Sequence, residues 1–512
     1  MRASAPAILS LLAFGLRAAS AQEPPLPSPV PLSSAFVSSS GVFPALSTGS
    51  ESAPKRSEAG HGAMMSWADR LWLVTYLSVP KAGNGTGLYS IDSNLVMTKV
   101  ASHDSCYANR LLIPGMNSIV IGPYVIDDAG NVRVLEQLLS VRVGGMAAHI
   151  HFPQTMVYML GMDGPLWECD LVSLNCTLLY DLVKELGIPP DQQVHMKAAH
   201  TMAGTLWIAS NTFDEEDFVG TAHGGRLATW QGNATSPWVI LEETAFTEVT
   251  GRYNFGQVVF ALGWDDASVI LKVVDNGADE VSYDKSVQTY RLPKASHAYD
   301  HLWTTEWPRI REVETERFLM DMHGMFYELP PFAWGGGVFG IKPVSQHLRM
   351  VPDYCSFRGF LVLGGNQVSS IFDNNLVTGQ SQSGLFFGKT DDLWSFGKPQ
   401  GWGGPWLYDL VAANAPSDPY LMTGFDKKMV HMRAEGLAPA DTVTISIEVD
   451  FTGSAGHVGR YGFTAPWNAL TTVELTGAKP YAYYVFEPGF SAHWVRFVSD
   501  TAGNLTAWLT YT

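Results

Sequence analysis

The chain has 512 residues, enough for one large all-β domain plus an extra module. It carries 32 basic against 49 acidic residues, a formal charge of −17, which argues against a protein that binds nucleic-acid phosphates. Aromatic residues make up 12% of it, with 16 Trp; packing between strands is the ordinary use of such rings, and a sugar-stacking platform is the sharper one.

The N-terminus reads as a secretory signal peptide over residues 1–21. Arg2 is the basic start, Ala7 to Leu16 is mostly apolar, and Ala19-Ser20-Ala21 is a small-x-small site, with cleavage expected after Ala21. That run is too short to span a bilayer and no other segment is a candidate, so the expectation is a secreted, extracellular protein with no membrane partner. Residues 22–55, rich in Pro, Ser and Ala, read as a leader. The sequons at Asn84, Asn175, Asn233 and Asn504 are expected surface glycosylation points. Cys169 and Cys176 sit on opposite arms of one predicted hairpin, and a disulfide there suits an oxidising compartment. Cys106 and Cys355 stay open between a pair and buried thiols. The chain has no Cys-x-x-Cys, which argues against structural zinc.

From residue 56 the chain repeats a short-strand pattern. The clearest unit is Ala147 to Leu182: a run to Phe152 carrying His149 and His151, a break at Pro153-Gln154, an apolar strand Met156 to Met162, a turn at Asp163-Gly164, then Leu166 to Asp170 and Cys176 to Leu182. Four short strands in a meander are the building block of a propeller blade. Similar openings fall near residues 61, 107, 149, 195, 253, 301 and 354, spaced by 46, 42, 46, 58, 48 and 53. Helical periodicity is nearly absent, Leu179 to Leu186 being the one candidate. The reading is all-β: a seven-bladed β-propeller over 56–415. A C-terminal β module follows over 416–512, either a β-sandwich or strands that close the ring. Its strand candidates include Thr442 to Phe451 and His493 to Val498.

In a propeller the innermost strands converge on one axis, so residues far apart in sequence share a pocket. The openings are polar: His61; Tyr107, Asn109 and Arg110; His149 and His151; His195, Lys197 and His200; Tyr253 and Asn254; His297, Tyr299, Asp300 and His301; Asp353, Tyr354, Ser356 and Arg358. One histidine at a strand start is usually a hydrogen-bonded structural residue; histidines at several openings point to a functional cluster. His, Arg and Tyr together on an acidic protein suit an anionic sugar. An arginine holds a uronate carboxylate through two parallel hydrogen bonds, and a neutral histidine can remove the acidified C–H proton. No Gly-x-Ser-x-Gly elbow, Walker loop or dinucleotide fingerprint is present, and Asp214 to Asp217 read as a solvated loop.

Several long segments carry a resemblance: Trp67-Ala-Asp-Arg-Leu-Trp72, Tyr107-Ala-Asn-Arg110, Ile121-Gly-Pro-Tyr-Val-Ile-Asp127, Glu306 to Arg317, Gly388 to Trp394, Gly401-Trp-Gly-Gly-Pro-Trp406 and Phe490 to Arg496. From about residue 56 onward the chain resembles the secreted seven-bladed propellers that include L-rhamnose-α-1,4-D-glucuronate lyases and related α-L-rhamnosidases. The resemblance implies activity on arabinogalactan side chains, the lyase using a histidine on one face and the hydrolase working from the other. Two departures stand out: Ile113 where the pattern has histidine, and Ala198-Ala199-His200 where it has Gly-Gly-Phe. The resulting expectation is a polysaccharide lyase that cleaves rhamnosyl-glucuronate linkages, acts as a monomer and takes an anionic plant-type glycan. Its alternatives are an α-L-rhamnosidase and a non-catalytic sugar-binding propeller. His149 would be base and acid, assisted by His195, with Arg110 on the carboxylate. Asn109, Lys197, Tyr107, His301, Tyr354 and Arg358 would contact substrate. No cofactor is required, and a calcium ion in the channel is left open, no ligand spacing revealing one.

Overall fold

The computed structural model describes residues 58–77, 87–103, 108–213, 224–252, 257–275, 286–295, 307–331, 333, 337–347, 350–368, 384–456 and 466–512. Among these the chain folds into consecutive antiparallel meanders. The first is Glu58–Trp67, Arg70–Leu77, Gly87–Ile91 and Met97–Ser102; the second runs from Arg110–Ile113 to Val132–Val134. The third is Val143–Ala148, Met156–Gly161, Pro165–Asp170 and Asn175–Asp181. Its hairpin turns at Asp163-Gly164, where Gly164 takes φ 113° and sets Leu160 opposite Leu166.

The fourth and fifth meanders share a strand. Val239–Arg252 pairs through its first half with Gly224–Trp230 and through its second half with Val258–Trp264. Its burial follows that division: the first half is exposed or half-buried and Ala245 to Val249 is buried. One strand is thus the outer edge of one sheet and the inner edge of the next. The sixth meander is Arg309–Glu314, Arg317–Met322, Met325–Leu329 and Lys342–Gln346; the seventh is Tyr354–Phe357, Phe360–Gly364 and Leu385–Gly388.

The first strand of each meander touches the first strand of the next, and Tyr354–Phe357 touches Glu58–Trp67, so the order is cyclic. Asn366–Val368 also pairs with Glu58 to Gly60 and ties the end of the ring to its beginning. This is a β-propeller. The spaces between sheets are filled by apolar side chains that alternate along the strands, as between Phe260, Leu262, Met320 and Tyr327.

Two expectations about strand placement are corrected. The innermost strand of the third meander is Val143–Ala148, and His149 lies in the turn after it. The innermost strand of the fifth is the second half of Val239–Arg252, so Val258–Trp264, which follows the expected opening near residue 253, is its second strand. Apolar alternation runs through neighbouring strands alike, so periodicity alone does not rank them from the axis outward. The sixth meander's expected opening, near residue 301, lies outside the described residues; its described innermost strand is Arg309–Glu314.

The C-terminal strands form two sheets. One is Gly401–Val411, Gly503–Tyr511, Lys428–Glu435 and Tyr481–Val485; the other is Tyr420–Leu421, Trp494–Ser499, Thr442–Asp450 and Asn468–Thr476. Val430, Met432 and Leu509 of the first share a core with Ile445, Ile447 and Phe497 of the second, and the same core takes in Phe260 and Met320 of the ring. Tyr420 pairs with Arg291 on the outer strand of the fifth meander. The module is a sandwich against the side of the ring, and none of its described strands pairs with the first meander.

Candidate functional site

Each four-stranded meander begins and ends on the same face of the ring, because its first and fourth strands are antiparallel. The innermost strands therefore all start at one face and finish at the other. On Arg309–Glu314, alternation puts Arg309 and Arg311 on one side. Arg311 is 5% exposed, and its guanidinium bridges two carboxylates: Nε reaches Asp353 Oδ1 at 2.7 Å and Nη1 reaches Glu248 Oε2 at 2.7 Å. Asp353 is fully buried and also accepts from the Met64 amide at 2.7 Å, with Arg110 Nε 3.5 Å away. Arg110 Nε donates to the Met64 carbonyl and its Nη2 to the Tyr354 carbonyl at 3.4 Å.

Burial works against each of these charges, and their neighbours decide the outcome. Burial disfavours Asp353 as an anion, yet Arg311, Arg110 and Arg309 hold its pKa below the ordinary carboxylate value. Burial disfavours Arg311 as a cation, yet Asp353 and Glu248 raise its pKa. For Arg110 and Arg309 burial wins, and their pKa values fall. Among the described residues, the carboxylates that act most strongly on Arg110, Arg309 and Arg311 are Glu248 and Asp353, two anions against three cations. Arg309 Nε and Nη2 and Arg311 Nη2 are buried with no hydrogen-bond partner. Nearer the starting face, Lys197 Nζ and the Arg309 guanidinium lie 5.1 and 5.4 Å from the Trp307 ring, which stacks on Tyr76 at 4.4 Å.

A cavity of about 310 Å³ opens on this network. Its polar wall includes Asn109, Arg110, His200, Glu248, Arg252, Arg311 and Glu312, contributed by four different innermost strands and the approach to one of them. Arg252 and Glu312 close a 2.8 Å ion pair across two meanders. His200 lies beside Gly251, where a Cβ would come 3.0 Å from its Nε2. Burial lowers the pKa of His200 to about 4, and no hydrogen bond or charge offsets it. Two buried histidines differ. His61 is lowered to about 4 by burial but pairs with the Gly365 carbonyl at 3.0 Å, and His103, lowered likewise, meets the Thr75 carbonyl at 3.1 Å.

The expected site residues fall in different places. Asn109 and Arg110 line the cavity; Asn109 takes φ 73°, and its side-chain oxygen accepts from the Arg110 amide at 3.0 Å. Lys197 is fully buried by Trp307, and His195, 8% exposed, lies opposite Asn211 in the same sheet. Tyr354 is buried, its hydroxyl 2.8 Å from the Arg309 carbonyl and 2.7 Å from that of Leu319, a structural position. Arg358 sits in the turn after Phe357, paired with Asp69 and remote from the starting face.

His149 follows the end of its strand. Its Nδ1 accepts from the amides of His151 at 3.1 Å and Phe152 at 3.0 Å, and its Nε2 faces Glu168 at 3.5 Å. The ring stacks on Tyr158 at 4.6 Å. Burial lowers its pKa, partly offset by Glu168. It caps a turn, and it does not line the cavity with Arg110. His200, named among the polar openings but given no role, does line it.

Tyr107, His301, Cys106 and Asn84 lie outside the described residues. Cys169 and Cys176 form a disulfide across paired strands, and Cys355 is a buried thiol whose pKa burial pushes up to about 12. Asn175, Asn233 and Asn504 are exposed. Among the described residues no group of three or more His, Cys, Asp or Glu side chains is arranged to hold a metal ion, and no helix is long and apolar enough to cross a membrane.

No family model matches the chain, and no curated protein does. Several solved structures give remote likenesses. The β-propeller domain of Cps50 (Swd1) from Myceliophteria thermophila aligns at 11% identity over 61% of this chain and 98% of that one, with a TM-score of 0.39. PorZ, a surface component of the type-IX secretion system of Porphyromonas gingivalis, aligns at 12% identity over 73% of this chain and 42% of that one, TM-score 0.34. U3-55K aligns at 9% identity over 64% and 94%, TM-score 0.35. The fold rests on the strand pairing above, and these likenesses add nothing about chemistry.

Proposed function

We propose that the protein is a secreted polysaccharide lyase, which cleaves rhamnosyl-glucuronate linkages of arabinogalactan-type glycans by β-elimination in the axial cavity. The reading begins from the motif resemblance given above. The observation that carries it is the surplus of guanidinium at the axis: Arg110, Arg309 and Arg311 against Glu248 and Asp353, with Arg110 and Arg311 on the cavity wall and Arg311 Nη2 unpartnered. A uronate carboxylate would bring the missing negative charge. Held by arginine, it withdraws electrons from C5 and acidifies the C5 proton. Removal of that proton forms the C4=C5 double bond as the C4–O4 bond breaks, and rhamnose leaves on O4. Electrostatic positioning of this kind is worth most where water is excluded.

A second reading has its own observation. Glu248 and Glu312 line the same cavity, and two carboxylates are what a glycoside hydrolase needs. Both are held by arginines, Glu248 by Arg311 and Glu312 by Arg252, which suits electrostatic roles. Incubation with gum arabic separates the cases. Elimination yields rhamnose together with ultraviolet absorbance from the new C=C bond. Rhamnose without absorbance would replace the lyase by the rhamnosidase, and sugar binding without any product would leave a non-catalytic propeller.

A further inference from the structure

We infer that His200 is the proton carrier of the elimination: it takes the C5 proton from the uronate and returns it to the departing O4. This rests on the lyase reading and deepens it. His200 is the one histidine on the cavity wall among the described residues. Beside it is Gly251, whose missing side chain lets the strands approach, and Arg110, Arg252 and Arg311 line the same cavity.

A buried ring nitrogen with no partner costs free energy, and native structures keep such groups where they have a use. Three buried histidines show the alternative: His61, His103 and His149 each spend a ring nitrogen on a carbonyl, a carboxylate or turn amides. His200 Nε2 is buried and partnerless, and the ring is neutral, so it can accept a proton without first losing one. A bound carboxylate would stabilise the imidazolium formed when the C5 proton arrives. The electron pair of the C5–H bond becomes the C4=C5 bond, O4 departs with the C4–O4 pair, and the imidazolium gives O4 its proton. The enzyme ends neutral at His200, and no other reactant is consumed.

The experiment follows the absorbance of the C=C bond for wild type, His200→Ala and His200→Gln, each checked by thermal melting. The expected loss in kcat is about 10²–10⁴-fold, the usual worth of a positioned acid or base, with KM within about threefold. Free imidazole should restore part of the His200→Ala rate, which a merely structural role would not allow. If His200→Ala does not fold, His200→Gln carries the comparison, since its amide fills the site but cannot shuttle a proton. A folded variant with more than about one tenth of the wild-type kcat would overturn the assignment and leave the lyase reading standing. Wild type that produces no absorbance would bring down both.

Discussion

Replacing Asp353 by Asn keeps the shape of the side chain and removes its charge. Asp353 is fully buried, 2.7 Å from Arg311 Nε and 3.5 Å from Arg110 Nε. At 2.7 Å and an effective dielectric of about 20, the Arg311 attraction alone is roughly 6 kcal/mol before desolvation is subtracted. Removing one partner leaves the other's desolvation uncompensated, and such losses run to about 3–5 kcal/mol. The axis goes from three cations against two anions to three against one. Adding Arg110→Met restores the wild-type excess of one cation, so the double variant should recover more than about 1 kcal/mol of the loss. Urea unfolding followed by tryptophan fluorescence measures both. A cost below about 1 kcal/mol for Asp353→Asn, or a double variant worse than the single, would refute the view that this cluster is held by charge pairing.

Other expectations are independent of that cluster. Gly251→Ala places a methyl 2.2 Å from the Val258 carbonyl oxygen and 3.0 Å from His200 Nε2, so it should cost about 1–3 kcal/mol in the same urea assay. His149→Gln should lower stability by about 1–2 kcal/mol through the lost turn bonds yet leave any elimination rate within a few-fold, as kinetics and unfolding together would show. Cys169→Ser opens a loop whose ends are 7 residues apart, and chain entropy puts the loss near 2–3 kcal/mol, read as a lower urea midpoint. His61, His103, His200 and His493 are lowered to about 4 in the folded protein, so between there and the ordinary value near 6.5 the unfolded chain binds more protons. Stability should therefore fall as pH drops from about 6.5 toward 4, by up to about 1.4 kcal/mol per unit for each histidine, and a flat profile over that window would contradict their burial as neutral rings.

The repeat of short alternating strands was legible in the sequence because a propeller's sheets repeat the same turn chemistry, and Cys169 and Cys176 were placed by the hairpin between them. Distance from the axis was less legible. Val143–Ala148 holds two glycines and small residues and lacks the look of a strand, so His149, with a clearer apolar strand beyond it, drew the assignment. In fact Gly144 and Gly145 are where the neighbouring innermost strand presses closest: a Cβ would meet the Met196 carbonyl at 1.8 Å and the Ala198 backbone at 3.0 Å. Small residues mark the inner edge there, not a weak strand. His200 was hidden for another reason. A β-bulge between Met196 and Ala198 interrupts the alternation, so counting from His195 does not tell which side His200 faces. The pairing of Arg311 with both Glu248 and Asp353 joins residues 63 and 42 positions apart, and no local pattern carries it.

The central claim is elimination of a rhamnosyl group from a uronate, and its most direct measurement is the yield of rhamnose against the yield of unsaturated uronate from gum arabic. The two should rise together in a one-to-one ratio, with the absorbance lost in His200→Ala. Rhamnose released with no unsaturated product would contradict the account.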